Sequence, residues 1–324
     1  MPFEKRVYKK FNNKSYGSFI LGTDIGGTNT NLGIFGIKNN LPTLLILFNF
    51  RTKTLKNLHS AVDEALNQIQ KNYKIRITKA CFAAAGVLSE KKDYVTTQNL
   101  PWDISKKELL GKTQLKKILF INDFEAIGYG INMLTKNDIL TIKKAKKIPK
   151  APIVVIGAGT GLGKTTLIYN DNYKSYIPLP SEAGHSDFSA QNLEELELIN
   201  FIKKYKKIKQ SISYEEVLSG QGLSNIYLFL RNQRKSKIFV ATKIQRIFAG
   251  SKKSPKTKYI REINKNNYSP ELISKYKKID KTCKETFKLF KIIYARFARN
   301  FALDVLSYGG VYIGGGIAPK NKDI

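Results

Sequence analysis

Two stretches of this chain begin alike, and that repetition limits what it can fold into. In the first, the apolar run Phe19-Ile20-Leu21-Gly22-Thr23 enters the turn Asp24-Ile25-Gly26-Gly27-Thr28-Asn29, and the β-rich, glycine-interrupted residues 31–37 follow. In the second, Ile153-Val154-Val155-Ile156 enters Gly157-Ala158-Gly159-Thr160-Gly161-Leu162-Gly163. Strand, turn, strand fits both better than strand, turn, helix, because β-branched and apolar residues continue past the glycines. The chain therefore reads as two α/β halves, each opening on a hairpin whose glycines let backbone N–H groups approach a ligand.

The second turn also matches a relaxed P-loop pattern, ending Gly163-Lys164-Thr165. A P-loop must open a helix. Here Thr165-Thr166-Leu167-Ile168-Tyr169 is β-branched and apolar, and Asn170-Asp171-Asn172 reads as a turn. The expectation is a hairpin.

Between the glycine turns, apolar residues at helical spacing predict a helix over 58–69, with strands over 44–50, 78–85 and 118–121 and a helix over 124–134. Residues 143–152 form a Lys/Pro-rich connector. Helical patterns cover 193–205, 213–230 and 279–307, and 235–269 reads as a long basic loop with helical pieces. The apolar face of 279–307 suits either the large lobe or a second subunit, the latter giving a homodimer.

Length and 42% hydrophobic content are those of a globular protein with real cores, and no run reaches the roughly 20 apolar residues of a membrane span. The basic residues 1–18 lack a secretory apolar core and read as a flexible tail. Two cysteines make neither a disulfide framework nor a zinc cluster, and they fit a reducing cytoplasm. The net charge of +31 is spread along the chain and is mostly lysine, so no specific nucleic-acid partner is expected.

Three further features carry chemistry. Asn122-Asp123 closes an apolar run, where Asp123 could be the base that relieves an acceptor hydroxyl of its proton, or a helix N-cap. Ser181-Glu182-Ala183-Gly184-His185-Ser186-Asp187 sets a glutamate and a histidine among small residues, a set suited to a polyhydroxyl ligand. Glu215 precedes Val217-Leu218-Ser219-Gly220. His185 has a structural reading as a lone packed histidine and Glu215 one as a solvated helix residue, while Glu182 and His185 at i, i+3 lack the further ligands that a zinc site needs. His59 has no visible functional partner. Asp24 is placed to hold Mg²⁺ through water. A phosphate loop, a lone aspartate and polar groups for hydroxyls together describe a sugar kinase.

The chain resembles the bacterial glucokinase family, within the sugar kinase, heat-shock ATPase and actin superfamily. The matching strings run in the family's order: Gly22–Asn29, Asn99-Leu100-Pro101-Trp102, Ile121-Asn122-Asp123-Phe124, Gly157–Gly163, Leu179–Phe188, Glu216–Gly220 and Gly309–Gly316. The resemblance implies a two-lobed ribonuclease H-like (actin-like ATPase) fold with a cleft, its small lobe over 19–122 and its large lobe over 123–324. Glucose and ATP would be the substrates, glucose 6-phosphate the glycolytic product and Mg²⁺ the cofactor. It makes Asp123 the general base on the 6-hydroxyl, and gives the other hydroxyls to Asn122, Glu182, His185 and Glu215, with Asn99 nearby. Gly26, Gly27, Thr28 and Asn29, with Gly157, Gly159, Thr160 and Gly161, would serve the phosphates, and Gly315 the adenosine. Lobe closure would exclude water.

Ser181 and Ala183 stand where the family usually has glycine, and the missing zinc-binding cysteines argue against the repressor-related branch. Family members continue past the last glycines through a C-terminal helical segment, so a chain ending at Ile324 would expose apolar surface. The alternatives are an impaired sugar-binding relative or a kinase for another hexose.

Overall fold

A computed structural model describes residues 2–97, 100, 102–245 and 258–321. Contacts divide the chain into two compact units, Met1–Thr135 and Lys136–Ile324.

In the first unit the strands are β1 (Phe3–Val7), β2 (Ser18–Ile25), β3 (Asn29–Lys38) and β4 (Leu41–Arg51). Helix α1 (Leu58–Tyr73) and strand β5 (Lys79–Ala84) follow. Next come the short strands β6 (Val87–Leu88), β7 (Tyr94–Thr96) and β8 (Ile104–Ser105), then α2 (Lys106–Lys112), β9 (Lys117–Asn122) and α3 (Asp123–Ile131). The main sheet has the order β1-β4-β3-β2-β5-β9. β2, β3 and β4 pair antiparallel, whereas β2, β5 and β9 run parallel.

Helix α1 forms where the periodicity predicts it. Asn57 caps its start by accepting the Ser60 N–H at 2.9 Å, and Lys74 ends it in the left-handed region. Its buried stripe, Leu58, Ala61, Val62, Ala65, Leu66 and Ile69, lies in one core with Leu21, Ile25, Phe82 and Phe120.

Residues 3–7, in the segment expected to be a tail, form an edge strand instead. Their period-2 pattern sets Phe3 against Phe48 and Phe50, with ring centroids 5.6 and 5.2 Å away, and Lys5 over Phe48 and Tyr73. The division of the chain also falls later than position 122, because α3 packs on β5 and β9 and goes with the first unit.

The second unit contains β10 (Ile153–Ala158), β11 (Leu162–Asn170), β12 (Ser175–Leu179), α4 (Leu193–Lys206) and α5 (Gly220–Gln245). These are followed by α6 (Lys258–Lys265), α7 (Pro270–Tyr276), α8 (Lys281–Asp304), β13 (Gly310–Gly314) and α9 (Ile317–Lys320). Its sheet order is β12-β11-β10-β13, with β13 parallel to β10 and the other pairs antiparallel. This is the connectivity of β4-β3-β2-β5, so the repetition seen in the sequence is a repetition of topology. In the stretch expected as a basic loop with helical pieces, residues 235–245 continue α5 and α6 is a further helix; its middle, 246–257, lies outside the described residues.

The apolar face of α8 goes into the unit's own core through Cys283, Phe287, Phe290, Ile293, Tyr294 and Phe297. The Tyr294 hydroxyl accepts the Ala158 N–H at 3.1 Å, tying α8 to the end of β10.

Candidate active site

In the first unit, three parallel strands end together. Ile25 of β2 is in register with Ala84 of β5, and Ala84 with Asn122 of β9. The glycine turn and the Asn122-Asp123 pair therefore leave the sheet from the same edge, the carboxyl end where ligands of α/β sheets bind.

The structure separates the two jobs that sequence left open at Asp123. Asn122 is the N-cap of α3: its Oδ1 accepts the N–H groups of Phe124 (2.7 Å) and Glu125 (3.3 Å), and Glu125 returns a bond to the Asn122 N–H. Asp123 is the first helical residue. Its Oδ1 accepts the Phe124 N–H at 2.8 Å, and no side chain hydrogen-bonds its carboxylate among the described residues. Burial pushes the Asp123 carboxyl above its usual range, the Phe124 N–H opposes this, and the neighbouring Asp24 carboxylate adds to the rise.

Asp24 is exposed near the end of β2, and its Oδ2 accepts from Asn31 Nδ2 at 3.2 Å. Asn31 in turn is held by Asn49 Nδ2 at 2.6 Å, across the β3–β4 ladder in which the two are paired. In the turn itself, Gly26 N–H donates to the Asn29 carbonyl at 3.0 Å. Gly26 and Gly27 are half-buried, while Thr28 and Asn29 are exposed. Thr52, just past β4, touches this turn twice, at Gly26 and Thr28, and Thr30 of β3 once. Nothing in the string Phe50-Arg51-Thr52-Lys53 announces that role, which depends on strand register.

In the second unit, β10 and β11 form the expected hairpin, with Gly159, Thr160 and Gly161 at its turn. Lys164 is on β11, buried, with its ammonium 4.9 Å from the Phe301 ring and its pKa lowered by burial. It is a packed strand residue and not the phosphate-holding lysine of a P-loop. Gly157, next to last in β10, is a buried strand position.

The other sequence-predicted residues gather around this turn. Glu215, in a one-turn 3-10 helix, accepts the Leu162 N–H at 2.7 Å, and a Cβ on Gly161 would lie 2.6 Å from its carboxylate. Glu215 is thus bound to the glycine turn and is not a solvated helix residue. Gly220 N–H donates to the Gly159 carbonyl at 2.8 Å. Gly315 has φ +78°, and a Cβ there would strike the Ala158 backbone, so the turn after β13 fits against β10 only as glycine.

Glu182 precedes and His185 ends the short helix Ala183–His185, both exposed, with His185 Nε2 3.9 Å from Glu182 Oε2. Gly184 between them presses on the Leu162 carbonyl with no room for a side chain. Gly184→Ala is therefore expected to shift this segment, costing about 1–3 kcal/mol of stability. Thermal unfolding would show the loss; an unchanged melting temperature would mean that the segment yields to a methyl group. Asn99 lies outside the described residues. His59 Nδ1 is 2.9 Å from Glu108 Oε1, a structural pairing.

Comparison with known proteins places this geometry. The glucokinase family model matches residues 21–324. A glucokinase of Nostoc sp. is 35% identical over 304 residues, covering 94% of this chain and 85% of the relative. Among solved structures, glucokinase from Balamuthia mandrillaris in complex with glucose matches with a TM-score of 0.71 at 21% identity, over 94% of this chain and 81% of that one. A ROK-family glucokinase from Streptomyces griseus, in complex with glucose and AMPPNP, matches with a TM-score of 0.59 at 17% identity, over 94% and 85% of the two chains. The structural likenesses establish the two-lobed, actin-like α/β fold. With the family model spanning nearly the whole length and the Nostoc relative above 30% identity, the chain belongs to the glucokinase family.

Proposed function

We propose a division of roles for the family's reaction, ATP-dependent phosphorylation of D-glucose at the 6-hydroxyl, among the residues described above. The observation that supports it best is Asp123: raised in pKa, relieved of capping by Asn122, and on the strand edge that carries the first glycine turn. As the 6-hydroxyl oxygen attacks the γ-phosphorus, Asp123 accepts its proton, the new O–P bond forms, the bridging O–P bond breaks, and ADP leaves.

Asn122 Nδ2, Glu182, His185 and Glu215 hold the remaining hydroxyls, with Asn99 as a further ligand. Glu215 has a second duty, since the same carboxylate fixes the Leu162 amide beside the second glycine turn. The first turn (Gly26, Gly27, Thr28, Asn29) and the second (Gly157, Gly159, Thr160, Gly161) serve the phosphates, the Gly26 and Gly159 N–H groups closing the turns and the Gly27 and Thr28 N–H groups left to donate, and Gly315 serves the adenosine side.

Mg²⁺ supplies charge neutralisation on the phosphates when bound. The ion keeps most of its water and needs one or two carboxylates, a demand that exposed Asp24, oriented by Asn31, fits.

The test is ADP release by the purified chain with Mg-ATP, with and without glucose. Glucose-dependent release is expected. No release, with glucose still bound, would show an impaired sugar-binding relative; equal release with mannose would move the substrate assignment to another hexose.

A further inference from the structure

Thr52 is fully buried (0% exposed), although it lies in a polar stretch just beyond the end of β4. Its hydroxyl donates to the Gly26 carbonyl at 2.7 Å, and its backbone N–H donates to the Thr28 carbonyl at 3.0 Å. With that hydroxyl proton committed to Gly26, the 3.0 Å contact between the Thr52 and Thr30 hydroxyls must be donated by Thr30, itself fully buried. One side chain and one amide thus anchor two of the three peptide units between Gly26 and Asn29.

Peptide geometry turns this anchoring into a direction. The described residues have no cis peptide bonds, and in a trans peptide the C=O and the following N–H point opposite ways. Holding the Gly26 carbonyl toward Thr52 aims the Gly27 N–H away from it, and holding the Thr28 carbonyl does the same for the Asn29 N–H. Among the described residues, the Gly27 and Thr28 N–H groups donate to no protein acceptor, so they are open to a ligand.

We infer that Thr52 is a positioning residue for the nucleotide: by gripping the back of the first glycine turn, it presets the turn's N–H groups for the phosphates of ATP. This rests on the reading of that turn as a phosphate loop. Thr52 touches no substrate in the proposal; it acts through the backbone of Gly26 and Thr28. Without its hydroxyl, the Gly26 carbonyl and the Thr30 hydroxyl lose their buried partner, and the turn must be ordered at the moment of binding.

The experiment compares Thr52→Val, which keeps the shape and deletes the hydroxyl, with Thr52→Ser, which keeps the hydroxyl. KM for ATP, KM for glucose and the calorimetric Kd of Mg-ADP are measured for each. For Thr52→Val, KM for ATP and Kd for Mg-ADP are expected to rise on the order of tenfold, with KM for glucose unchanged, and Thr52→Ser is expected to recover most of the loss. Unchanged nucleotide affinity in Thr52→Val, an equal rise in both KM values, or a serine variant as weak as the valine variant would each overturn the proposal.

Should Thr52→Val not fold, Thr30→Val removes the neighbouring donor alone, and a milder rise confined to the nucleotide is the supporting result. The Mg-ADP titration separates this inference from the function it rests on. A wild-type chain that binds Mg-ADP without turning over glucose would sink the proposed reaction, while the Thr52 comparison would still read out on Kd.

Discussion

Asp123→Asn is expected to lower kcat by a factor on the order of a thousand while glucose and nucleotide still bind, because it removes the proton acceptor and preserves size and shape. The fold should survive, since α3 is capped by Asn122, and an asparagine at 123 can still accept the Phe124 N–H. The pH dependence follows from the direction of the pKa shift. Asp123 serves as a base only when ionised, so its raised pKa in the free enzyme sets the acidic limb of kcat/KM at a higher pH than an ordinary carboxylate would give. Asp24→Asn removes the like charge and should move that limb to lower pH, alongside any loss in activity.

The same shift fixes the sign for stability. A carboxyl whose folded pKa exceeds its unfolded value is protonated more readily in the native state. Stability therefore falls as pH rises between the two values, and above both the buried charge is a standing cost. Asp123→Asn should accordingly raise the melting temperature at neutral pH, with the gain vanishing below the unfolded pKa of about 3.9. Melting curves across pH, set beside kcat/KM, test both halves. A variant that lost glucose binding together with turnover would make Asp123 a ligand first.

Arg296→Met is expected to cost about 3–5 kcal/mol, because it strands a buried carboxylate. Glu195, in the first turn of α4, is fully buried and meets the Arg296 guanidinium of α8 by two bonds, 3.1 and 2.8 Å. Glu195 also accepts the Gln191 N–H at 2.8 Å, so its charge is built into the start of the helix. The damage should reach the sugar segment. Arg296 lies 5.8 Å from the Phe188 ring, and Phe188 packs edge-on against Tyr214, which packs against Phe297. Phe188 follows residues 181–187 directly, and Tyr214 opens the helix that carries Glu215 and donates its N–H to the Ser186 carbonyl at 2.9 Å. Denaturant unfolding should show the stability loss, and KM for glucose should rise. Adding Glu195→Gln should return part of the stability; no recovery in the double variant would mean that packing, not the stranded charge, sets the cost.

The sequence was most informative where a pattern is local. Apolar runs into glycines marked both hairpins, and the β-branched residues after Lys164 ruled for a strand before any coordinates. Helix α1 was visible because its buried stripe is strictly periodic. What could not be read depends on partners far along the chain. Phe3 and Lys5 look like a tail until β4 lies beside them. Glu215 looks solvated until the Leu162 amide, 53 residues away, donates to it. Thr52 has no motif of its own; only the β3–β4 register sets it behind Gly26. At Asn122-Asp123 the sequence left Asp123 open between base and helix N-cap, and the backbone geometry gives the cap to Asn122 instead.

That decision at Asn122 carries an evolutionary corollary. The proton acceptor and the helix cap occupy adjacent positions without sharing a side chain, so mutation at Asp123 can erase the base and spare the cap. Losing Asn122 uncaps α3 and exposes the protein to quality control, whereas losing Asp123 leaves a folded chain relieved of a buried charge. Once selection for phosphorylation is relaxed, position 123 should drift first and 122 later. Inactive descendants of such a gene would then accumulate as sound, glucose-binding proteins that still carry the asparagine.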